Sequence, residues 1–222
     1  CSQLISINCD LEPKKFTCSG CDGCPVCYHD IEACMQRGRS GEPEVEIDCE
    51  ALDKVLKKFQ VGITVQQALD AKECQIINEC LILKKEYYRD GAFSDRNNFR
   101  SVIALRLKRV SVRMFEFGQS LINVIMPEAL GVLQGSFVET GLKNCYFPKL
   151  VRIGYYAFQQ CQIKNLTSQS FPHLEVVEYQ GFSECPISSV NLPSLVSVDD
   201  EGFLGCKSLR HFSAQNLQNI GE

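Results

Sequence analysis

The residues with the most chemistry to offer are cysteines. The chain of 222 residues has 14 of them, and ten precede residue 81: Cys1, Cys9, Cys18, Cys21, Cys24, Cys27, Cys34, Cys49, Cys74 and Cys80. A thiolate is a nucleophile and a soft metal ligand, whereas two thiols in an oxidising compartment join as a disulfide. The run CSGCDGCPVC places Cys18, Cys21, Cys24 and Cys27 at a uniform spacing. An iron–sulfur run needs a longer last gap followed by proline, and here Pro25 comes early. A zinc site separates its two cysteine pairs by a dozen or more residues, so that two loops converge on a tetrahedron; these pairs are almost adjacent. The density of the other cysteines favours a disulfide knot over a metal centre, and with it a secreted or cell-surface setting. The ten are therefore expected in disulfides, and neither metal nor cofactor is expected.

The other reactive groups make no catalytic set. His29, His173 and His211 are the only histidines, and none sits in a recognisable arrangement with a nucleophile and a carboxylate. The glycines form no phosphate-cradling loop ahead of a helix. Asp199, Asp200 and Glu201 read as a solvated turn. No catalytic residue is expected, and the chain reads as a non-enzyme. The formal net charge of −4, without a Lys/Arg stripe, argues against a nucleic-acid partner. No apolar run approaches the ~20 residues that span a bilayer.

What must position any working surface is a repeat. FPKLVRIGYYAFQQC, FPHLEVVEYQGFSEC and LPSLVSVDDEGFLGC recur down the chain. Their marker is a phenylalanine: Phe93, Phe115, Phe137, Phe158, Phe182 and Phe203, at intervals of 22, 22, 21, 24 and 21. Other columns keep step, namely Phe99, Leu121, Leu142, Ile163, Ile187, Leu209; then Val102, Val124, Cys145, Leu166, Val190, Phe212; then Leu107, Leu130, Leu150, Leu174, Leu195, Leu217. A period of 20–29 residues is that of a solenoid with one coil per unit. Segments such as LINVIM alternate in and out as a strand does, and Pro148, Pro172 and Pro193 end it, since proline cannot donate to a ladder. Stacked coils then share one parallel sheet face and a continuous apolar interior. In that arrangement Cys161, Cys185 and Cys206 share one column and Cys145 lies in an inward strand column, so all four read as buried thiols.

This pattern resembles the BspA-type leucine-rich repeat. The residues that carry the resemblance are Phe158, Cys161, Ile163, Leu166, Pro172, Leu174, Val177, then Phe182, Cys185, Ile187, Val190, Pro193, Leu195, Val198, and finally Phe203, Cys206, Leu209, Phe212, Leu217 and Ile220. Arg96 and Gly118 stand where the first units would have cysteine. The resemblance covers about residues 88–222 and implies surface proteins of bacteria and parasitic protists, often adhesins; it implies no particular ligand.

The expected organisation is a cysteine-rich, disulfide-stapled region over 1–72 and a leucine-rich-repeat-like solenoid over 73–222, about six units with the last truncated. Asp48 to Gln60 puts Leu52, Val55, Leu56 and Phe59 on one helical face, and with the disulfides this short helix would cap the solenoid. The start at Cys1 suggests a removed leader, and the stop in mid-repeat suggests part of a longer protein. On the sheet, Asn123, Asn144 and Asn165 recur at 21-residue intervals, continued by Ser189 and His211, beside Ile125, Tyr146, Thr167 and Asn191. Two readings of this column stay open. It is a ligand-binding face made of Asn123, Ile125, Asn144, Tyr146, Asn165, Asn191 and His211, or it is an asparagine ladder bonded to itself. Asn165-Leu166-Thr167 is the only N-glycosylation sequon, so Asn165 is also a glycosylation candidate. The functional expectation is an extracellular recognition or adhesion protein that binds a protein or matrix ligand. The alternative is a structural subunit of a wall, coat or fibre that self-associates.

Overall fold

The computed structural model describes residues 47–221, which fall within one compact unit, Ile47–Glu222. Cys1, Cys9, Cys18, Cys21, Cys24, Cys27 and Cys34 lie outside the described residues, so their expected disulfides do too. Two helices come first, α1 (Cys49–Lys58) and α2 (Val65–Asp70). Asp48 caps α1 by accepting from the Ala51 N–H, and Thr64 opens α2 with a capping box to Gln67. A hairpin follows, β1 (Gln75–Ile77) antiparallel to β2 (Cys80–Leu83). Asn78 and Glu79 turn it with φ of 47° and 59°, the left-handed pair that suits strand twist.

From β2 onward the chain winds in coils. Front strands β3 (Ser101–Ala104), β5 (Asn123–Ile125), β7 (Asn144–Tyr146), β9 (Asn165–Thr167), β11 (Ser189–Asn191) and β13 (His211–Ser213) alternate with back strands β4 (Arg109–Val110), β6 (Gly131–Val132), β8 (Arg152–Ile153), β10 (Val176–Val177), β12 (Ser197–Val198) and β14 (Asn219–Ile220). The back strands form one parallel six-stranded sheet. The front falls into two pieces, β1-β2-β3-β5-β7 and β9-β11-β13. The solenoid therefore has two sheet walls where one face was expected, and its front wall is broken.

The marker phenylalanines fill the space between the walls. Phe93, Phe115, Phe137, Phe158, Phe182 and Phe203 stack in order, with ring centroids 5.1–5.6 Å apart and planes within 14° of parallel. Phe147 and Phe171 form a second stack at 5.8 Å and meet Phe137, Phe158 and Phe182 edge-on. The N–H of Phe93, Phe115, Phe137, Phe158 and Phe182 each donates to the carbonyl just before the next marker, on Met114, Ser136, Ala157, Gly181 and Gly202, at 2.8–2.9 Å. Residues two before and two after every marker have φ of 51–70°, a left-handed kink that aims their N–H groups at the following coil as well. Only Gly91, Gly135 and Gly205 of these twelve positions are glycine, so most coils carry strained non-glycine residues such as Gln160 and Glu184 to keep that ladder.

The thiol column is buried as read at Cys161 and Cys185, while Cys206 in the last coil is only partly buried. Cys161, Cys185 and Cys206 donate S–H to the carbonyls of Phe137, Phe158 and Phe182 on the preceding coil, at 3.1, 3.0 and 3.2 Å. Burial pushes the Cys161 thiol up to about 12 and raises Cys145 and Cys185 further, so none of the three is a thiolate near neutrality. One column differs from the sequence reading. Ala129, not Leu130, points inward in its coil: Ala129 is fully buried and Leu130 is 42% exposed.

The helices and β2 correct the cap expectation. Leu52, Val55, Leu56, Ala68, Cys80, Ile82, Ile103 and Ile125 make a separate apolar layer, so α1 and α2 lie on the outer side of β2, β3 and β5, not over the end of the core. Cys49, Cys74 and Cys80 are free thiols where disulfides were expected. Cys80 is enclosed in the apolar layer and acts as a small filler, while Cys49 and Cys74 are exposed. At the far end the inward residue Phe212 is 39% exposed, because no coil among the described residues stacks on it.

A charged tie also crosses coils. The buried Glu128 carboxylate accepts from Lys149 at 2.6 Å and Lys108 at 3.1 Å. Burial alone would raise its pKa, but the two ammonium groups outweigh it and hold the carboxyl below its ordinary value. A depressed carboxyl stabilises the fold above its unfolded pKa and loses that contribution as pH falls.

Two outcomes follow. Phe158→Ala or Phe182→Ala should cost about 3–5 kcal/mol by denaturant unfolding, since each empties a fully enclosed ring site; a loss under about 1 kcal/mol would contradict the stack. Glu128→Gln should destabilise by about 1 kcal/mol or more at pH 7, with the difference from the parent shrinking once pH falls below the ordinary glutamate value of 4.5; a difference independent of pH would contradict the tie.

Candidate recognition surface

On each front strand the residues flanking the inward one face outward, and their character changes along the stack. In β2, β3 and β5 they include Ile82, Ile103 and Ile125, all fully buried beneath α1 and α2. In β9, β11 and β13 they are Asn165 and Thr167, Ser189 and Asn191, His211 and Ser213, and no helix covers them among the described residues. Ile125 is therefore not an exposed anchor, contrary to expectation, because a second apolar layer needs it. Asn123 is buried too, at 8% exposure. Tyr146 marks the boundary, half-buried against the helical layer, and burial raises the pKa of its phenol. Asn165, Asn191 and His211 are exposed on the open part.

The asparagine ladder is present in two pieces. Asn144 donates to Asn123 at 2.8 Å, and Asn123 donates to the Ser101 hydroxyl at 3.0 Å. Beyond the break, the hydroxyls of Ser188 and Ser189 donate to the Asn165 side-chain oxygen at 3.0 and 2.8 Å. Among the described residues no hydrogen bond joins Asn144 to Asn165, and β7 does not pair with β9.

The cause of the break is local. Leu166 to Phe171 spans five positions, whereas Cys145 to Phe147 and Val190 to Leu192 span two. The extra residues form a turn at Thr167, whose carbonyl accepts from the Ser170 and Phe171 N–H groups. Pairing holds below the break, from Gln162 N–H to the Leu142 carbonyl, and above it, from Phe147 N–H to the Ser170 carbonyl. Between them opens a cleft of about 450 Å³ lined by Lys143, Asn144, Gln162, Lys164 and Asn165, with Lys58 and Phe59 from the end of α1. Of these, Asn144 and Asn165 were singled out from sequence as surface residues and Phe59 only as part of an apolar helix face; the insertion after Leu166 was the available signal for the rest.

Parallel two-walled coils with an inward aromatic stack and a polar outer face define a leucine-rich-repeat β-solenoid. The family model of the BspA type leucine rich repeat region matches residues 131–222 in six copies. Two solved structures are similar to the chain. A leucine-rich repeat protein from Bacteroides ovatus is 18% identical with a TM-score of 0.45, over 64% of this chain and 44% of that one. A leucine rich cell surface protein from Faecalibacterium prausnitzii is 17% identical with a TM-score of 0.33, over 60% and 62%. The chain thus spans less than two thirds of either. No curated protein matches the sequence. No described helix is long and apolar enough to cross a membrane.

The division of the front wall has a direct check. Ile125→Asp should cost more than about 3 kcal/mol, because it buries an unpaired charge under the helices. Asn191→Asp on the open part should change stability by less than about 0.5 kcal/mol. Equal effects would contradict the helical cover.

Proposed function

We propose that the chain is a non-enzymatic recognition module of a secreted or surface protein, which binds a protein or extracellular-matrix ligand through the open front wall of β9, β11 and β13. The observation that carries this reading is the change in the outward column, apolar and covered up to Ile125, polar and uncovered from Asn165 to Ser213. Inward columns are committed to the core, so a solenoid recognises partners with outward ones. The match of residues 131–222 to the BspA type family model supports the reading, as does a face of asparagine, serine, threonine and histidine, whose short side chains lose little freedom on binding.

Retention of the chain on a surface coated with mixed extracellular-matrix proteins tests this reading. Asn191→Arg combined with Ser213→Arg should abolish retention while stability stays within about 1 kcal/mol. Retention that survives the pair removes the open wall from the account. Light scattering that shows a concentration-dependent dimer or polymer, with no retention on the matrix surface, would favour a self-associating structural subunit instead.

A further inference from the structure

From the geometry of the broken front wall we infer that the cleft between β7 and β9 is a binding site for a carboxylated sugar, of the size and charge of a uronic or sialic acid residue. This goes beyond the matrix-binding reading: the two share Asn165, but this one rests on Lys58, Lys143 and Lys164. Three observations carry it.

The first is charge. Lys58, Lys143 and Lys164 all line the cleft, and among the described residues no carboxylate does, although the chain as a whole carries a formal net charge of −4. Lys143 and Lys164 are 21 residues apart in the repeat, one residue before Asn144 and Asn165. Their ammonium groups give the cleft a positive lining that a bound anion would neutralise. Lys58 reaches across from α1 to the Gln169 side-chain oxygen at 3.2 Å, which brings a third ammonium group to the insertion turn.

The second is backbone. On β7, the Asn144 N–H and the Tyr146 carbonyl bond towards β5, so strand alternation turns the Cys145 N–H and carbonyl towards β9. On β9 the Lys164 carbonyl bonds towards β11, accepting from Ser188, so the Asn165 backbone groups turn towards β7. Between the other successive front strands such groups pair with the adjacent coil; here, among the described residues, they face the cleft as donors and acceptors at fixed positions.

The third is the remaining lining. Asn144, Gln162 and Asn165 offer amides, which donate and accept together and so match neighbouring sugar hydroxyls. Phe59 supplies an apolar ring beside them, as the C–H face of a pyranose requires. A volume of about 450 Å³ falls in the range of small-ligand sites, about 300–1,000 Å³. A bare inorganic anion would leave the amides and the ring unused, and a neutral sugar would leave the lysines unused.

Calorimetric titration of the unglycosylated chain with glucuronate and N-acetylneuraminate tests this, with glucose and acetate as controls. At least one acidic sugar should bind, with both controls about tenfold weaker or more. Lys143→Ala and Lys164→Ala should each weaken it by about fivefold, the upper end for a solvated charge contact, with unchanged melting. High salt should weaken binding further. No heat from either acidic sugar up to about 10 mM, or affinity indifferent to both lysines, overturns the proposal. Acetate binding as tightly as the sugars overturns its saccharide part. None of these outcomes touches Asn191 or Ser213, so this site and the matrix-binding face fail separately.

Discussion

The phenylalanine stack is the constraint from which the rest of the structure follows. A single coil of 21–24 residues cannot enclose its own ring. Each of Phe115, Phe137, Phe158 and Phe182 is sealed only because another ring lies about 5 Å above and below it, and because its N–H is bonded to the next coil. Ring stacking and backbone pairing therefore demand the same rise per coil, close to the ordinary strand spacing of 4.7–4.9 Å. That shared demand fixes where residues can be added. The inward columns admit none, and the extra residues of the 24-residue unit are expelled to the Thr167 turn.

The constraint has local costs, and they recur in register. Left-handed backbone two residues either side of each ring is tolerated even at Tyr156, Gln160 and Glu184, because without it the flanking N–H groups would not reach the neighbouring coil. The tight turn also pulls the marker carbonyl into the core, and a small donor must meet it there. Cysteine does so in three coils, and Thr140 bonds the Phe137 carbonyl within its own. The cysteines of the solenoid are thus explained by hydrogen bonding and volume, a different origin from the oxidised set expected near the start of the chain.

Much of the interior was legible because burial imposes a repeating pattern on sequence. Val102, Val124, Cys145, Leu166 and Val190 take one inward column as read. The back wall was not legible, because strands of two residues such as Arg109–Val110 are too short to show alternation. Ala129 was passed over for Leu130 since side-chain size outweighed register. The helical cover left a signal that went unused: Ile82, Ile103 and Ile125 repeat at 21 and 22 residues in an outward column, and an apolar outward column needs a lid. The broken wall was legible only as an irregular interval, since length alone does not say which hydrogen bonds an insertion removes.

If stacking and pairing are one cooperative unit, the backbone amides of the markers must report it together. Native-state hydrogen exchange of the Phe115, Phe137, Phe158 and Phe182 amides is the most direct measurement. The account predicts that all four exchange only through opening of the whole stack, with a common free energy and a common denaturant dependence. Independent exchange, with Phe137 and Phe182 opening at clearly different free energies, would contradict it.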